Sequence, residues 1–508
     1  MVNYHMSFSI LVRGVNWIGD AVMTLPALRA LRKAYPGATI SLLVKPPVIP
    51  VFENNPDIDE IIAYDEKFNG ALGKLRLARL LRKRKFSMAI LLQNAFDAAL
   101  IAWLARIPKR IGYNRDRRGF LLTDPVPFNG EDRKVHHIAY YLDLLASAGI
   151  PAGFEEPVVH LSLEERLQAR SVLSELSRPI LGINPGATFG PAKRGLPGRF
   201  AEVANWFRRD TGGHAVIFGS QNEAALAHEI DKRIPEGKLF LAGKTSLREL
   251  AALISECDVM IANDSGAMHI ACAVGTPTLA IFGSTDPKLT GPVGEGHDVI
   301  KKEFSCSPCF ERSCLTRDMR CMYAITAEEV FFKIKDLLPH SRAVFFDRDG
   351  TLCRDADYLS DWKDFDIFPD IESLGKLKEK GFLLIGITNQ SGISRGLVKE
   401  PFAKEVNAVF AGTYGFDDFY YCPHSPDDYC QCRKPAPGML IKARVQHSID
   451  LKRSFVVGDK DADMLAARAV GARGILVTTG KQQTSPYADT VVGGLAEAVR
   501  VILADETD

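Results

Sequence analysis

Phe345-Phe346-Asp347-Arg348-Asp349-Gly350-Thr351 continues a short apolar run that begins at Ala343 and then turns abruptly polar. An apolar run followed by two carboxylates two positions apart, with a glycine to bend the chain, describes a buried strand opening into a polar loop. In open α/β sheets ligands bind just beyond the carboxyl ends of the strands, so Asp347 and Asp349 would face a ligand and a cation. Alone, the two acids also fit a solvated loop. The pattern recurs, however: Ile387-Thr388-Asn389-Gln390 ends a second apolar run, Val457-Gly458-Asp459-Lys460 ends a third, and Arg433-Lys434-Pro435 lies between them.

These four motifs, in this order, resemble those of haloacid dehalogenase-type phosphatases over residues 342 to 500. The resemblance implies that Asp347 is a nucleophile forming an aspartyl-phosphate and that Asp349 protonates the leaving oxygen and later activates water. It also implies a Mg²⁺ held by Asp347, Asp459 and the main-chain carbonyl of Asp349, with Thr388, Asn389, Arg433, Lys434 and Lys460 around the phosphate. The chemistry agrees, since a carboxylate approaches a phosphoryl group only where cations and donors neutralise the charge between them.

Between the second and third motifs lies Cys422-Pro423-His424-Ser425-Pro426-Asp427-Asp428-Tyr429-Cys430-Gln431-Cys432. Three thiols and an imidazole so spaced match a closed tetrahedral zinc site, Cys422, His424, Cys430 and Cys432, whose role is structural. The loop resembles one that marks a phosphatase subgroup containing heptose 1,7-bisphosphate phosphatases and histidinol-phosphate phosphatases. Both substrates stay open on the loop alone, while the residues 389–396 and 434–439 are more similar to the heptose enzymes.

The chain has 508 residues, 63 basic and 62 acidic, and a formal charge of +1. That near balance gives no global attraction to nucleic acid. The first residues lack a signal-peptide pattern, and the apolar stretch from Met88 to Ile107 is broken by Gln93, Asn94, Asp97 and Arg106, so no membrane span is expected. Ten cysteines in this length fall short of a disulfide scaffold and fit a reducing cytoplasm.

Upstream of residue 338 strands and helices alternate in two series, reading as two Rossmann-like units. The first opens with Arg13-Gly14-Val15-Asn16-Trp17-Ile18-Gly19-Asp20, where Asp20 fits either a helix N-cap or a functional acid. The second carries Gly182-Ile183-Asn184-Pro185-Gly186-Ala187-Thr188-Phe189-Gly190-Pro191-Ala192-Lys193-Arg194, a glycine-rich loop with two cations suited to a pyrophosphate. Asn263-Asp264-Ser265-Gly266-Ala267-Met268-His269 then leads into a helix whose first amides would point at an anion. His269 fits either packing or function.

Together these motifs resemble the bacterial ADP-heptose:lipopolysaccharide heptosyltransferases over residues 8 to 337, with a departure at Gly195-Leu196-Pro197, where Trp-Pro is expected. The resemblance implies a two-domain GT-B fold and an inverting transfer without a metal cofactor. Asp20 would be the base for the acceptor hydroxyl and Lys193 the stabiliser of departing ADP. Arg194, Thr188, Glu223, Asp264, Ser265, Gly266 and His269 would line the donor site. The expected α/β architecture is therefore an N-terminal acceptor-binding domain at 1–170, an ADP-heptose-binding domain at 171–338, and a haloacid dehalogenase-like Rossmannoid phosphatase with a zinc loop at 342–508.

Three features stay open. The basic run from Arg106 to Arg118 reads as a solvated face or as a binder of the anionic lipopolysaccharide inner core. The run from Lys74 to Lys85, with leucines among its cations, reads as an ordinary surface helix or as a peripheral contact with the inner membrane. Cys306, Cys309, Cys314 and Cys321, spaced Cys-x2-Cys-x4-Cys-x6-Cys, read as free thiols or as metal ligands. The expectation is a cytoplasmic bifunctional enzyme acting on ADP-heptose and heptose 1,7-bisphosphate; the alternatives are histidinol phosphate or another sugar phosphate as phosphatase substrate, or one half serving as an inactive binding module.

Overall fold

The computed structural model describes residues 8–128, 134–428 and 430–505. The chain divides into two compact units, Met1–Leu337 and Leu338–Asp508.

The first unit holds two sheets. One comprises β1 (Ser9–Arg13), β2 (Thr39–Val44), β3 (Glu60–Ala63), β4 (Met88–Leu91), β5 (Lys109–Tyr113) and β6 (Asp124–Val126), in the order β3-β2-β1-β4-β5-β6. The other comprises β7 (Ile180–Asn184), β8 (His214–Ile217), β9 (Lys238–Phe240), β10 (Val259–Asn263), β11 (Thr278–Phe282) and β12 (His297–Lys301), in the order β12-β11-β10-β7-β8-β9. The second unit repeats the arrangement with β13 (Arg342–Phe346), β14 (Phe382–Asn389), β15 (Asp418–Cys422), β16 (Phe455–Gly458), β17 (Arg473–Val477) and β18 (Thr490–Val492), ordered β15-β14-β13-β16-β17-β18. Neighbouring strands are parallel throughout; β1 pairs with both β2 and β4, β7 with both β8 and β10, and β13 with both β14 and β16.

In each sheet the order in which strands are added therefore reverses between its first and fourth strands. Loops leaving those two strands go to opposite sides, and the crevice between them is where ligands bind in such folds. Central strands covered on both faces must be apolar throughout, which is why Ile10, Leu11 and Val12, Val259 to Ala262, and Ala343 to Phe346 are all buried.

Local chemistry sets the ends of several helices. Ser162 accepts from the Glu165 amide at 3.2 Å while Glu165 accepts from the Ser162 amide at 2.7 Å, a reciprocal cap that starts the helix Leu163–Val172. Val22, Leu25, Leu28 and Leu31 recur at the spacing of one continuous helix, but the stretch forms two, Ile18–Met23 and Leu25–Ala34. Pro26 has no N–H to continue the first ladder, and the Thr24 hydroxyl turns back to the Ala21 carbonyl at 2.7 Å.

The basic run after β4 is divided by burial. Arg118 is wholly enclosed, donating to the Tyr113 carbonyl at 3.0 Å, to Asn94 Oδ1 at 3.0 Å and to the Gln93 carbonyl. It ties the loop after β4 to the loop after β5 and is a structural cation. Burial lowers its pKa to about 10, still far above neutrality. Arg118→Met should leave three buried acceptors without a donor at a cost of about 2–3 kcal/mol. Urea unfolding followed by intrinsic fluorescence should show an earlier transition for the first unit; an unchanged midpoint would mean that the guanidinium is dispensable.

Candidate active sites

In the C-terminal unit the loops after β13 and β16 bring acids around one ammonium. Lys434 is buried, and its Nζ lies 2.9 Å from Asp347 Oδ1, 2.6 Å from Asp463 Oδ1 and 2.7 Å from the Ile387 carbonyl. Lys460 Nζ stands 3.2 Å from Asp459 and 4.0 Å from Asp347. Burial alone would raise Asp347, but the charges of Lys434 and Lys460 outweigh it and hold the carboxyl below its ordinary value. Burial and the neighbouring Asp347 push Asp459 the other way, up to about 6. An added cation would relieve that repulsion. Side-chain oxygens of Asp347, Asp459 and Asp463 lie within 4.8 Å of one another, so the donor set fits a hard divalent ion. Gly350, at φ +92°, is required here because a β-carbon would stand 2.5 Å from Asp459 Oδ2.

Asp349 faces away from this cluster. Its carboxylate is gripped by Arg348 at 2.9 and 3.0 Å and accepts from Gln390 at 2.7 Å, while Gln390 also donates to Thr388 Oγ1 at 2.9 Å. The Asn389 side-chain amide clasps the Lys434 main chain, its Nδ2 donating to the Lys434 carbonyl and its Oδ1 accepting from the Lys434 amide, each at 3.0 Å, which fixes the Lys434 stem. Arg433 Nη1 lies 3.5 Å from the His424 carbonyl. Asp463 was not singled out in the sequence. The signal available was its position four residues after Asp459, one helical turn on, at the start of the helix Asp461–Val470.

The thiols and imidazole of the intervening loop converge. Cys422 Sγ lies 3.4 Å from Cys430 Sγ and 3.5 Å from His424 Nδ1; Cys432 Sγ lies 3.5 Å from Cys430 Sγ and 3.2 Å from His424 Nδ1. All four ligand atoms fall within 4.8 Å of one another, a cluster that could hold a metal ion. Cys306, Cys309, Cys314 and Cys321 form no such cluster among the described residues.

In the N-terminal unit Asp20 is the third residue of the helix Ile18–Met23, whose N-cap is Trp17, so the capping role is not the one it plays. It lines a cavity of about 350 Å³ together with Trp17, Asn94, Arg115, His137 and Tyr140. His137 Nδ1 lies 3.6 Å from Asp20 Oδ1. His137 was missed in the sequence because it is 117 positions from Asp20 and only the fold joins them.

The helix Gly266–Ala273 packs against the helix Ile18–Met23. The approach is close enough that a β-carbon on Gly19 would meet the His269 ring at 2.8 Å. Burial lowers His269 to about 4, leaving it a neutral imidazole beside the cleft. Lys193 pairs with Asp264, which also accepts from Thr285 Oγ1 at 2.6 Å. Arg194 approaches the Ala187 carbonyl at 3.4 Å, and Asn184 Nδ2 lies 3.5 Å from Ser265 Oγ. Glu223 accepts from Ser220 Oγ at 2.7 Å and rests against Gly186 in the glycine-rich loop. Thr188 is exposed in the same loop. The site residues expected after β7 and β10 are thus gathered at one end of that sheet, with Asp20 across the cleft.

A model of glycosyltransferase family 9 (heptosyltransferase) matches residues 74–319, and a HAD-hydrolase-like model matches residues 431–498. Lipooligosaccharide heptosyltransferase 2 of Haemophilus influenzae is 33% identical over 312 residues, covering 58% of this chain and 88% of that protein. The D-glycero-beta-D-manno-heptose-1,7-bisphosphate 7-phosphatase of Yersinia pestis is 38% identical over 180 residues, 32% of this chain and 95% of that protein. The chain belongs to the family 9 heptosyltransferases, fused to a heptose bisphosphate phosphatase-type unit.

The structure of the E. coli ADP-heptose lps heptosyltransferase II covers 65% of this chain and 98% of its own, with a TM-score of 0.56 and 29% identity. The heptosyltransferase unit thus has the two-sheet GT-B arrangement expected from its motifs, and the phosphatase-type unit adds a third sheet of the same strand order. No helix of the described residues is long and apolar enough to cross a membrane.

Lys434 is the keystone of the acid cluster. Lys434→Met should remove the ammonium in contact with buried Asp463 and leave Asp347 only the more distant Lys460, and cost about 3 kcal/mol or more. Part of that loss should return with millimolar Mg²⁺, since a ligand that binds only the folded state stabilises it. Thermal unfolding of the variant with and without Mg²⁺ tests this; a destabilised variant indifferent to Mg²⁺ would contradict the acids' role as a cation site.

Proposed function

We propose that this chain is a bifunctional enzyme of lipopolysaccharide core biosynthesis. Its N-terminal unit transfers heptose from ADP-L-glycero-D-manno-heptose to the inner core with inversion, and its C-terminal unit removes the 7-phosphate of D-glycero-D-manno-heptose 1,7-bisphosphate. The observation that carries this reading is that each unit has its own acid at a sheet's reversal point, Asp20 in a cavity large enough for a sugar and Asp347 beside a buried lysine.

In the transferase, Asp20 takes the proton of the acceptor hydroxyl as it attacks the anomeric carbon, with His137 beside it. Negative charge develops on the departing ADP across the cleft. Lys193, Arg194, Thr188, Ser265 and the first amides of the helix Gly266–Ala273 are suited to receive it. Asp264 holds Lys193 in place, and neutral His269 and Glu223 border the donor.

In the phosphatase, Asp347 attacks the phosphoryl group and the sugar oxygen leaves, giving an aspartyl-phosphate that water then opens. Its pKa, held down by Lys434 and Lys460, keeps it ionised for that attack. Asp349 protonates the leaving oxygen and later deprotonates water, which requires it to exchange its Arg348 contact for the substrate. Thr388, Asn389, Arg433, Lys434 and Lys460 hold phosphate oxygens. Asp347, Asp459, Asp463 and the Asp349 carbonyl would hold Mg²⁺, which would supply charge neutralisation between nucleophile and phosphate. Cys422, His424, Cys430 and Cys432 would hold Zn²⁺, which would fix the loop that carries Arg433 and Lys434. The enzyme works at the cytoplasmic face of the inner membrane, where nucleotide sugar and lipid-borne acceptor meet.

Asp347→Asn should abolish phosphate release from the bisphosphate and leave heptose transfer within about twofold, whereas Asp20→Asn should cut transfer by roughly 10²-fold or more and spare the phosphatase. Phosphate release and ADP formation assayed on the same preparations test both; loss of both activities in either variant would contradict independent sites.

A further inference from the structure

The helix Gly70–Lys83 buries Gly73, Leu77, Ala78 and Leu81 and leaves its opposite side in solvent. That exposed side carries Leu72, Leu75 and Leu80 among Arg76, Arg79 and Lys83, with Leu72 71% exposed. The helix packs on its neighbour Phe96–Leu104, and Lys74 reaches Asp97 across the junction at 3.4 Å. On the neighbour, Phe96, Leu100 and Trp103 recur at one helical face, and Phe96 and Trp103 are exposed. Phe120, 76% exposed, sets its ring 6.2 Å from that of Phe96. Three adjoining elements thus present large apolar side chains to solvent on one side of the unit.

Charge identifies what covers them. Of the sixteen residues from 70 to 85, seven are Lys or Arg and none is acidic, in a chain whose net charge is only +1. Two of the seven are paired, Lys74 with Asp97 and Arg84 with Glu60; Arg76, Arg79, Arg82, Lys83 and Lys85 make no ion pair among the described residues. Such apolar side chains ringed by unpaired cations suit the interface of an anionic bilayer, where stems and rings enter the head-group layer and cations meet lipid phosphates. The position also fits. Asn94, two residues before Phe96, and Arg115, five before Phe120, both line the cavity that contains Asp20.

We infer that the face formed by Leu72, Leu75, Arg76, Arg79, Trp103 and Phe120 seats this unit on an anionic phospholipid bilayer, with the Asp20 cavity opening beside the membrane surface. The inference extends the transferase reading, in which the acceptor is lipid-borne, by naming the surface that brings the site to it. Binding to lipid does not require catalysis, so the two can fail separately.

The test is sedimentation of the full chain with vesicles of phosphatidylethanolamine and phosphatidylglycerol, compared with phosphatidylcholine vesicles. Binding should be roughly tenfold or more stronger on the anionic vesicles and should weaken with salt. The triple variant R76E/R79E/K83E should lose roughly tenfold or more of it, and W103S/F120S several-fold, while both retain transfer to a lipid-free acceptor fragment and phosphate release. Absence of anionic binding in the wild type, or equal binding by the triple variant, overturns the assignment. So does a concentration-dependent dimer of the wild type that the triple variant abolishes, because the face would then be covered by a second copy. Anionic binding that follows the variants, in a wild type unable to transfer heptose to the fragment, would sustain the surface and refute the transferase reading instead.

Discussion

The reversal of strand order beside the first strand governs the chemistry of this molecule. All three sheets are parallel and share one order, so each has one crevice where successive loops part to opposite sides. Asp20 and Asn94 follow β1 and β4; the glycine-rich loop and Asp264 follow β7 and β10; Asp347 and Asp459 follow β13 and β16. The same backbone solution serves all three proposed sites. What differs is the charge each loop contributes.

In the phosphatase unit that charge is concentrated and compensated internally. Asp347, Asp459 and Asp463 gather within metal-ligand distance, and the buried Lys434 offsets part of their charge. The opposed shifts of Asp347 and Asp459 express one balance: the lysines win at Asp347, and burial with acid repulsion wins at Asp459. In the transferase unit Lys193 is held by Asp264 and His269 is neutral, so the donor end carries less net charge and relies more on amides and a helix start. That difference accords with the proposed chemistries, a departing nucleoside diphosphate in one unit and a small phosphoryl group with a cation in the other.

Much of this was legible in the sequence because chemistry and strand ends coincide. Apolar runs that stop at Asp347, Thr388 and Asp459 mark β13, β14 and β16, and the Cys422 loop folds as its spacing implies. Legibility fell where contacts are long-range or geometric. Nothing in the run from Arg106 to Arg118 separates the buried Arg118 from its exposed neighbour Arg117; only the carbonyls that the fold brings to Arg118 do so. His137 joins Asp20 solely through the fold, and Asp349 is turned by Arg348 and Gln390 in a way no spacing reveals. The helix break at Thr24 was readable from Pro26 but was masked by continuous apolar periodicity.

The fusion gains meaning from its substrates. A phosphatase on the route to a nucleotide-activated heptose and a transferase that spends that nucleotide sugar act on the same carbon skeleton at different stages, which links their expression without requiring passage of an intermediate between sites. The link between the two units depends most on the sugar that the Asp347 site takes. The most direct measurement is Mg²⁺-dependent phosphate release by the purified full chain, with heptose 1,7-bisphosphate and histidinol phosphate compared under one condition. The account predicts that kcat/KM favours the bisphosphate by roughly 10²-fold or more, as a site built to bind a second anionic group would; equal rates or a preference for histidinol phosphate would contradict it.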